Sequence, residues 1–195
     1  FFHAQPGIRD AQESRGLGDV YKRQIYNTAK KEFRKFTDES TKEEMVKEFI
    51  DYYGKNINNE SKLIDGVVDF LSWCKNEKIS MGVCTNKQEH LAIDLLKKIK
   101  IYDYFEYVAG SNTFEYCKPD PRHLTSVLEI MDGSIEKSIM IGDSETDADS
   151  AKNCGMKFIL LENGYTEKKV SEIHHDHLIK NFIGLEKIVK NYLND

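Results

Sequence analysis

The chain has little of what marks a disulfide scaffold, a zinc module, a membrane protein or a nucleic-acid binder. Its four cysteines, Cys74, Cys84, Cys117 and Cys154, are scattered without a C-x-x-C pair. That argues against structural zinc and a disulfide framework and fits a reducing cytoplasm. No apolar run approaches the roughly 18 residues of a bilayer span, so no membrane partner is expected. Lys and Arg number 28 against 33 Asp and Glu, a net charge of −5, with no basic block or basic-aromatic stripe. Nucleic acid is therefore not an expected partner. Proline is scarce, and of the three present Pro119 and Pro121 stand together. What is there, 39% hydrophobic and 11% aromatic residues in 195, suits a globular domain of ordinary size.

Residues 1–24 differ in texture from the rest, holding Arg9, Arg15 and Arg23 but no amphipathic period. The run Ser14-Arg-Gly-Leu-Gly-Asp-Val-Tyr-Lys-Arg-Gln24 reads as a translated transposase-type sequencing adapter. Residues 1–24 are accordingly expected to be adapter-derived and foreign to the fold, with native sequence from Ile25 and a native segment missing upstream.

From Ile25 to about residue 62 the pattern is helical, with Val46, Phe49, Ile50 and Tyr53 at three-to-four spacing and Thr41-Lys-Glu-Glu44 as a capping box. From residue 63 to 195 helices and strands alternate. Helical faces are expected at Val67–Cys74, Leu91–Ile99, Leu124–Met131, Asp147–Cys154 and Phe182–Leu193. Strands are expected at Ile79–Cys84, Tyr107–Ala109, Ser138–Ile141 and Lys157–Leu161. Strands separated by helices of this length imply parallel crossovers and an α/β doubly wound sheet, whose chemistry lies at the carboxyl ends of strands.

Three strand ends or loops carry distinctive polar groups. Thr85-Asn86-Lys87 follows one strand directly, and a hydroxyl and an amide at a strand-to-helix turn suit phosphoryl oxygens. Lys118 precedes Pro119-Asp-Pro121, which fixes the backbone beside an ammonium fit to offset negative charge. Gly142-Asp-Ser-Glu-Thr-Asp147 ends an apolar strand in a crowd of carboxylates, and such hard oxygen donors suit Mg²⁺. His174, His175 and His177 read as a surface loop, Cys84 and Cys117 as inert thiols, and Tyr102, Tyr104, Phe105 and Tyr107 as packing under the sheet edge. His90 and His123, in the early turns of helices, receive no role.

The order Thr85-Asn86, Lys118-Pro119, then G-D-x-x-x-D resembles the haloacid dehalogenase-like hydrolases. Leu63-Ile-Asp-Gly66, Asn163-Gly-Tyr165 and Asp176-His-Leu-Ile179 are similar to positions of the phosphoglycolate phosphatase branch, and residues 25–62 to part of its helical cap. The resemblance implies a Rossmann-like parallel sheet lacking its first, central strand, because the nucleophile motif D-x-D-x-T is nowhere in the chain. It further implies a Mg²⁺-dependent phosphomonoesterase working through an aspartyl-phosphate on a small phosphorylated metabolite, phosphoglycolate before others. Thr85 and Lys118 would be catalytic, Thr85, Asn86 and Lys118 would bind phosphate, and Asp143 and Asp147 would hold the metal. Another capped phosphatase, a mutase or a catalytically dead phosphate-binding module remain open at this point.

Overall fold

The structure, a computed structural model, describes residues 63–162 and 168–194. The expected cap helix with its capping box and the Asn163-Gly-Tyr165 motif lie outside the described residues.

The first helix, α1 (Val67–Asn76), buries Val67, Phe70, Leu71 and Cys74, the stripe that i, i+3, i+4, i+7 spacing produces. It starts from Gly66 at φ 81, where a Cβ would lie 2.7 Å from the Ile183 nitrogen, so both conformation and space select glycine. Strand β1 (Gly82–Cys84) pairs in parallel with β2 (Tyr107–Ala109), joined by the crossover helix α2 (Glu89–Lys98). Helix α3 (Arg122–Ile130) leads to β3 (Ile139–Gly142), α4 (Glu145–Cys154), β4 (Lys157–Leu161), β5 (His177–Ile179) and α5 (Leu185–Asn194). The order β3-β4-β5 is parallel throughout, with Met140 opposite Phe158 and Leu160 opposite Leu178.

Strand β4 shows why the layers are doubly wound. Phe158 and Leu160 join the apolar cluster of Leu124, Ala148, Ala151 and Met156. Ile159 and Leu161 join the cluster of Val67, Phe70, Leu96, Phe182 and Leu185. Alternate side chains therefore enter two cores, and the strand reads as a continuous apolar run because both faces are covered. Tyr102, Tyr104 and Phe105 pack against the second cluster, as expected.

The described strands form two parallel sheets and not one. β1 and β3 each present a ladder edge with no strand partner among the described residues.

Two element expectations need correction. β1 starts at Gly82 and not Ile79, because Ile79 is used to close α1: its N–H bonds to the Cys74 carbonyl at 2.9 Å. Strand β5 was not expected, since His177 and Leu178 are exposed and only Ile179 is buried, leaving no alternation to see. It is held by Asp176, whose carboxylate accepts from the Phe158 N–H and the Lys157 ammonium, each at 2.9 Å.

No helix among the described residues is long and apolar enough to cross a membrane.

Candidate active site

The carboxyl end of β3 is shaped by a missing side chain. A Cβ on Gly142 would lie 2.5–2.6 Å from the Cβ, Cγ and Oδ2 of Asp147, so glycine lets that carboxylate fold back against the strand end. There Asp147 Oδ2 accepts from the N–H of Asp143 at 3.1 Å, the N–H of Ser144 at 3.2 Å and the Ser144 hydroxyl at 2.8 Å. Ser144 Oγ in turn accepts from the Asp147 N–H at 3.3 Å, completing a capping box that starts α4. Sequence reading placed the helix start at Asp147, and the box moves it back to Glu145.

Asp147 Oδ1 accepts from the Lys118 ammonium at 2.5 Å, with both side chains 8% exposed. Burial alone would lower the Lys118 pKa, but the Asp147 charge outweighs it, with Cys84 and Asp143 adding to the effect, and the ammonium is held above its ordinary value. Burial likewise opposes ionisation of Asp147, and Lys118, Ser144 and the Asp143 N–H reverse that, keeping the carboxyl below its ordinary range. The pair is therefore ionised.

Lys118 is reached from the other sheet through Asn86, whose Nδ2 donates to the Lys118 carbonyl at 2.8 Å. The preceding residue, Thr85, accepts the Lys87 N–H at its Oγ1 at 3.2 Å, so its own hydroxyl hydrogen remains to donate elsewhere. The Thr85 N–H bonds to the Ala109 carbonyl, continuing the β1–β2 ladder to the turn. A hydrogen-bonded path thus joins the ends of β1 and β3 through Asn86, Lys118 and Asp147 to Asp143.

Two of the residues with expected roles have side chains engaged within the protein. The Asn86 side-chain amide donates to the Lys118 backbone carbonyl. Asp147 has both oxygens engaged, Oδ2 by three donors, and serves as the anchor of Lys118. Asp143, the other carboxylate of the motif, follows the end of β3 directly. Mg²⁺ takes one or two protein carboxylates and completes its shell with water and phosphate oxygens, so a site with a single such ligand fits it. No group of three His, Cys, Asp or Glu arranged to hold a metal occurs among the described residues. The three histidines of the late loop do not gather: His175 Nδ1 donates to the Ile173 carbonyl at 2.7 Å, and His177 meets the Tyr192 ring edge-on at 5.6 Å.

Sequence reading missed His123. It is fully buried, its Nδ1 accepts the Lys118 N–H at 3.2 Å, and Phe114 packs against its ring at 5.7 Å. Burial and the nearby Lys118 charge push its pKa down to about 4, so the imidazole is neutral. Its place five residues after Lys118, in the first turn of α3, was the available signal. Burial pushes the Cys84 thiol up to about 11 and raises Cys117 as well, so neither is a ready nucleophile.

A family model described as haloacid dehalogenase-like hydrolase matches residues 16–161. The chain is 32% identical over 148 residues to a phosphoglycolate phosphatase of Mesorhizobium japonicum, covering 76% of this chain and 65% of that protein. It is 36% identical over 143 residues to a phosphoglycolate phosphatase of Caulobacter vibrioides, covering 73% of this chain and 60% of the relative. The chain thus spans less than two thirds of the length of either curated relative. Among solved structures, one described as a predicted phosphoglycolate phosphatase from Haemophilus somnus aligns with TM-score 0.81 at 23% identity, over 93% of this chain and 78% of that one. The β-phosphoglucomutase of Clostridium difficile aligns with TM-score 0.71 at 18% identity, over 92% and 77% of the two chains. At these identities the structural matches speak for the fold.

Proposed function

This chain belongs to the haloacid dehalogenase-like hydrolase family, and we propose on that premise that it is the greater part of a Mg²⁺-dependent phosphatase whose substrate is phosphoglycolate. The observation that carries the reading is the buried Lys118–Asp147 ion pair, fixed between the Thr85 turn of one sheet and the Asp143 turn of the other. The phosphoglycolate phosphatases among its relatives support the substrate.

The nucleophilic aspartate belongs to the D-x-D-x-T motif, which this sequence does not contain. In the intact protein that carboxylate would attack phosphorus and form an aspartyl-phosphate as the bond to the glycolate oxygen breaks. The second aspartate of the motif would protonate that oxygen and then deprotonate the water that hydrolyses the aspartyl-phosphate, releasing phosphate and restoring the nucleophile. The Thr85 hydroxyl donates to a phosphoryl oxygen. The Lys118 ammonium spends one hydrogen on Asp147 and has two more for the nucleophile and the phosphate. Its raised pKa keeps it cationic throughout the working range of pH. Asp143 is the residue that would hold Mg²⁺, which when bound supplies positive charge to the phosphoryl oxygens. Asp147 keeps the ammonium aimed. Residues 1–24 enter this reading as adapter and residues 25–62 as part of a cap that excludes water and selects the substrate.

The test is phosphate release from phosphoglycolate, sugar phosphates and nucleotides by the intact protein over a magnesium titration. Phosphoglycolate is expected to be the preferred substrate, and Thr85→Ala and Lys118→Ala to lower turnover by about 10²–10³-fold each. Magnesium-dependent hydrolysis that passes over phosphoglycolate for another phosphoester would overturn the substrate assignment. Full turnover by Lys118→Ala would overturn the site.

A further inference from the structure

We propose that His123 is a positioning residue for Lys118, forming with Asn86 a two-sided clamp on the Lys118 backbone. This deepens the phosphatase reading of the same site and rests on it.

Lys118 lies in the connection between β2 and α3 and belongs to no helix or strand ladder. Its peptide groups are nonetheless satisfied. The carbonyl accepts from Asn86 Nδ2 at 2.8 Å and the N–H donates to His123 Nδ1 at 3.2 Å. The partners come from different elements, one from the turn after β1 and one from the first turn of α3. Two bonds on opposite sides of one residue fix where the side chain starts. A flexible lysine stem then has few ways to reach Asp147. Because Asn86 adjoins Thr85, the clamp also couples the two phosphate-binding groups, so a shift of one carries the other with it.

The chemistry of the two residues is poorly explained by packing. Asn86 keeps a buried polar atom, Oδ1, without a hydrogen-bond partner, and the buried Nε2 of His123 has only the Gly110 backbone to turn to. An unpaired buried polar atom is a cost that an apolar side chain of similar shape would avoid. The shared feature that offsets it is the bond each makes to Lys118. For His123 the acceptor must be unprotonated, since a backbone N–H can only donate. The buried site between the Phe114 ring and the Gly110 backbone, close to a lysine charge, holds the ring in that state.

The experiment compares His123→Asn with His123→Leu in the intact protein. Asn carries its Oδ1 near the position of the imidazole Nδ1 but leaves part of the ring volume empty. Leu fills more of the volume and has no acceptor. If His123 positions Lys118, His123→Leu lowers kcat/KM by about 10–100-fold, the range expected for a small misplacement of a reacting group, and His123→Asn recovers most of it. Acylation of Lys118 by acetic anhydride, read by peptide mass spectrometry, is expected to speed up severalfold in His123→Leu relative to Lys152, while His123→Asn stays close to the parent. Higher turnover in Leu than in Asn, or unchanged turnover in both, would overturn the proposal and leave His123 as a packing residue. Should His123→Leu not fold, Asn86→Leu tests the other side of the clamp, and wild-type turnover there overturns the proposal equally. Lys118→Ala is run alongside. If it keeps full turnover, the phosphatase reading of the site is at fault. If it loses turnover while the clamp variants do not, the fault lies with the clamp alone.

Discussion

At the residue scale, Asp143 and Asp147 look alike in sequence and differ in surroundings. Both were expected to be metal ligands, yet Asp147 takes a buried ammonium and three further donors. Removing one partner of a buried ion pair leaves the other uncompensated and costs about 3–5 kcal/mol. Asp147→Ala is therefore expected to destabilise by about that amount in denaturant unfolding of the intact protein. Asp143→Asn is expected instead to raise the magnesium concentration needed for half-maximal activity, and equal magnesium curves for Asp143→Asn and wild type would remove its assigned role. His123 supplies a second prediction. Its folded pKa of about 4 lies below the unfolded value of 6.5, so between these pH values the unfolded chain binds more protons than the folded one. The stability from neutral His123 is fully present above pH 6.5 and falls away as pH drops toward 4, by about 3 kcal/mol in total. The slope of unfolding free energy against pH in that window is expected to flatten in His123→Asn.

Elements end here in a way that composition conceals. Helices α1, α2, α3 and α4 all close with the same pair of backward hydrogen bonds, exemplified by Ile101 N–H to the Leu96 carbonyl and Lys100 N–H to the Lys97 carbonyl. Only α4 places glycine, Gly155 at φ 79, at the left-handed position, and its end was the one legible in the sequence. Lys78, Lys100 and Asp132 occupy that position in the others at φ 59, 63 and 53. The left-handed region costs an L-residue roughly 1–2 kcal/mol, and glycine gives back about 0.4–1 through its freer unfolded chain. Lys78→Gly and Lys100→Gly are each expected to stabilise by about 0.5–1 kcal/mol, seen as a higher midpoint in urea. A lower midpoint would mean that these lysines hold the helix ends by contacts of their own. The helix faces were readable because Leu91, Leu95 and Leu96, or Leu124 and Val127, repeat at the helical period against buried neighbours. β5 was not, because one buried residue in three makes no pattern.

Across the described residues, the succession of the first four strands along the chain was legible from the spacing of apolar runs, and so was the meeting of Thr85, Lys118 and Asp143, because parallel strands share one chemical end. What escaped was which partner each polar group of the site takes. Which oxygen Asp147 offers, and that Asn86 turns to a backbone carbonyl, depend on three-dimensional approach and leave no trace in spacing. The sheet carries the prediction at this scale. With one edge each of β1 and β3 lacking a strand partner among the described residues, and no D-x-D-x-T in the sequence, the 195-residue chain expressed alone is expected to self-associate and to release no phosphate from phosphoglycolate. Adding an upstream segment with an apolar strand ending in D-x-D-x-T is expected to give a dispersed, active protein. Size-exclusion chromatography and a phosphate assay on both forms check this, and hydrolysis by the short form would refute it.

The capping box of α4 has one more consequence. A single carboxylate both starts that helix and holds the ammonium, through the amide hydrogens of Asp143 and Ser144. Those two hydrogens are therefore reporters of the ion pair. In Lys118→Ala, where the carboxylate loses its ammonium, Asp147 is freer to swing, and the two amides are expected to trade their deuterium with solvent faster while the interior of α4 keeps its protection. Isotope exchange at two backbone positions would thus register events at the lysine without a label on it.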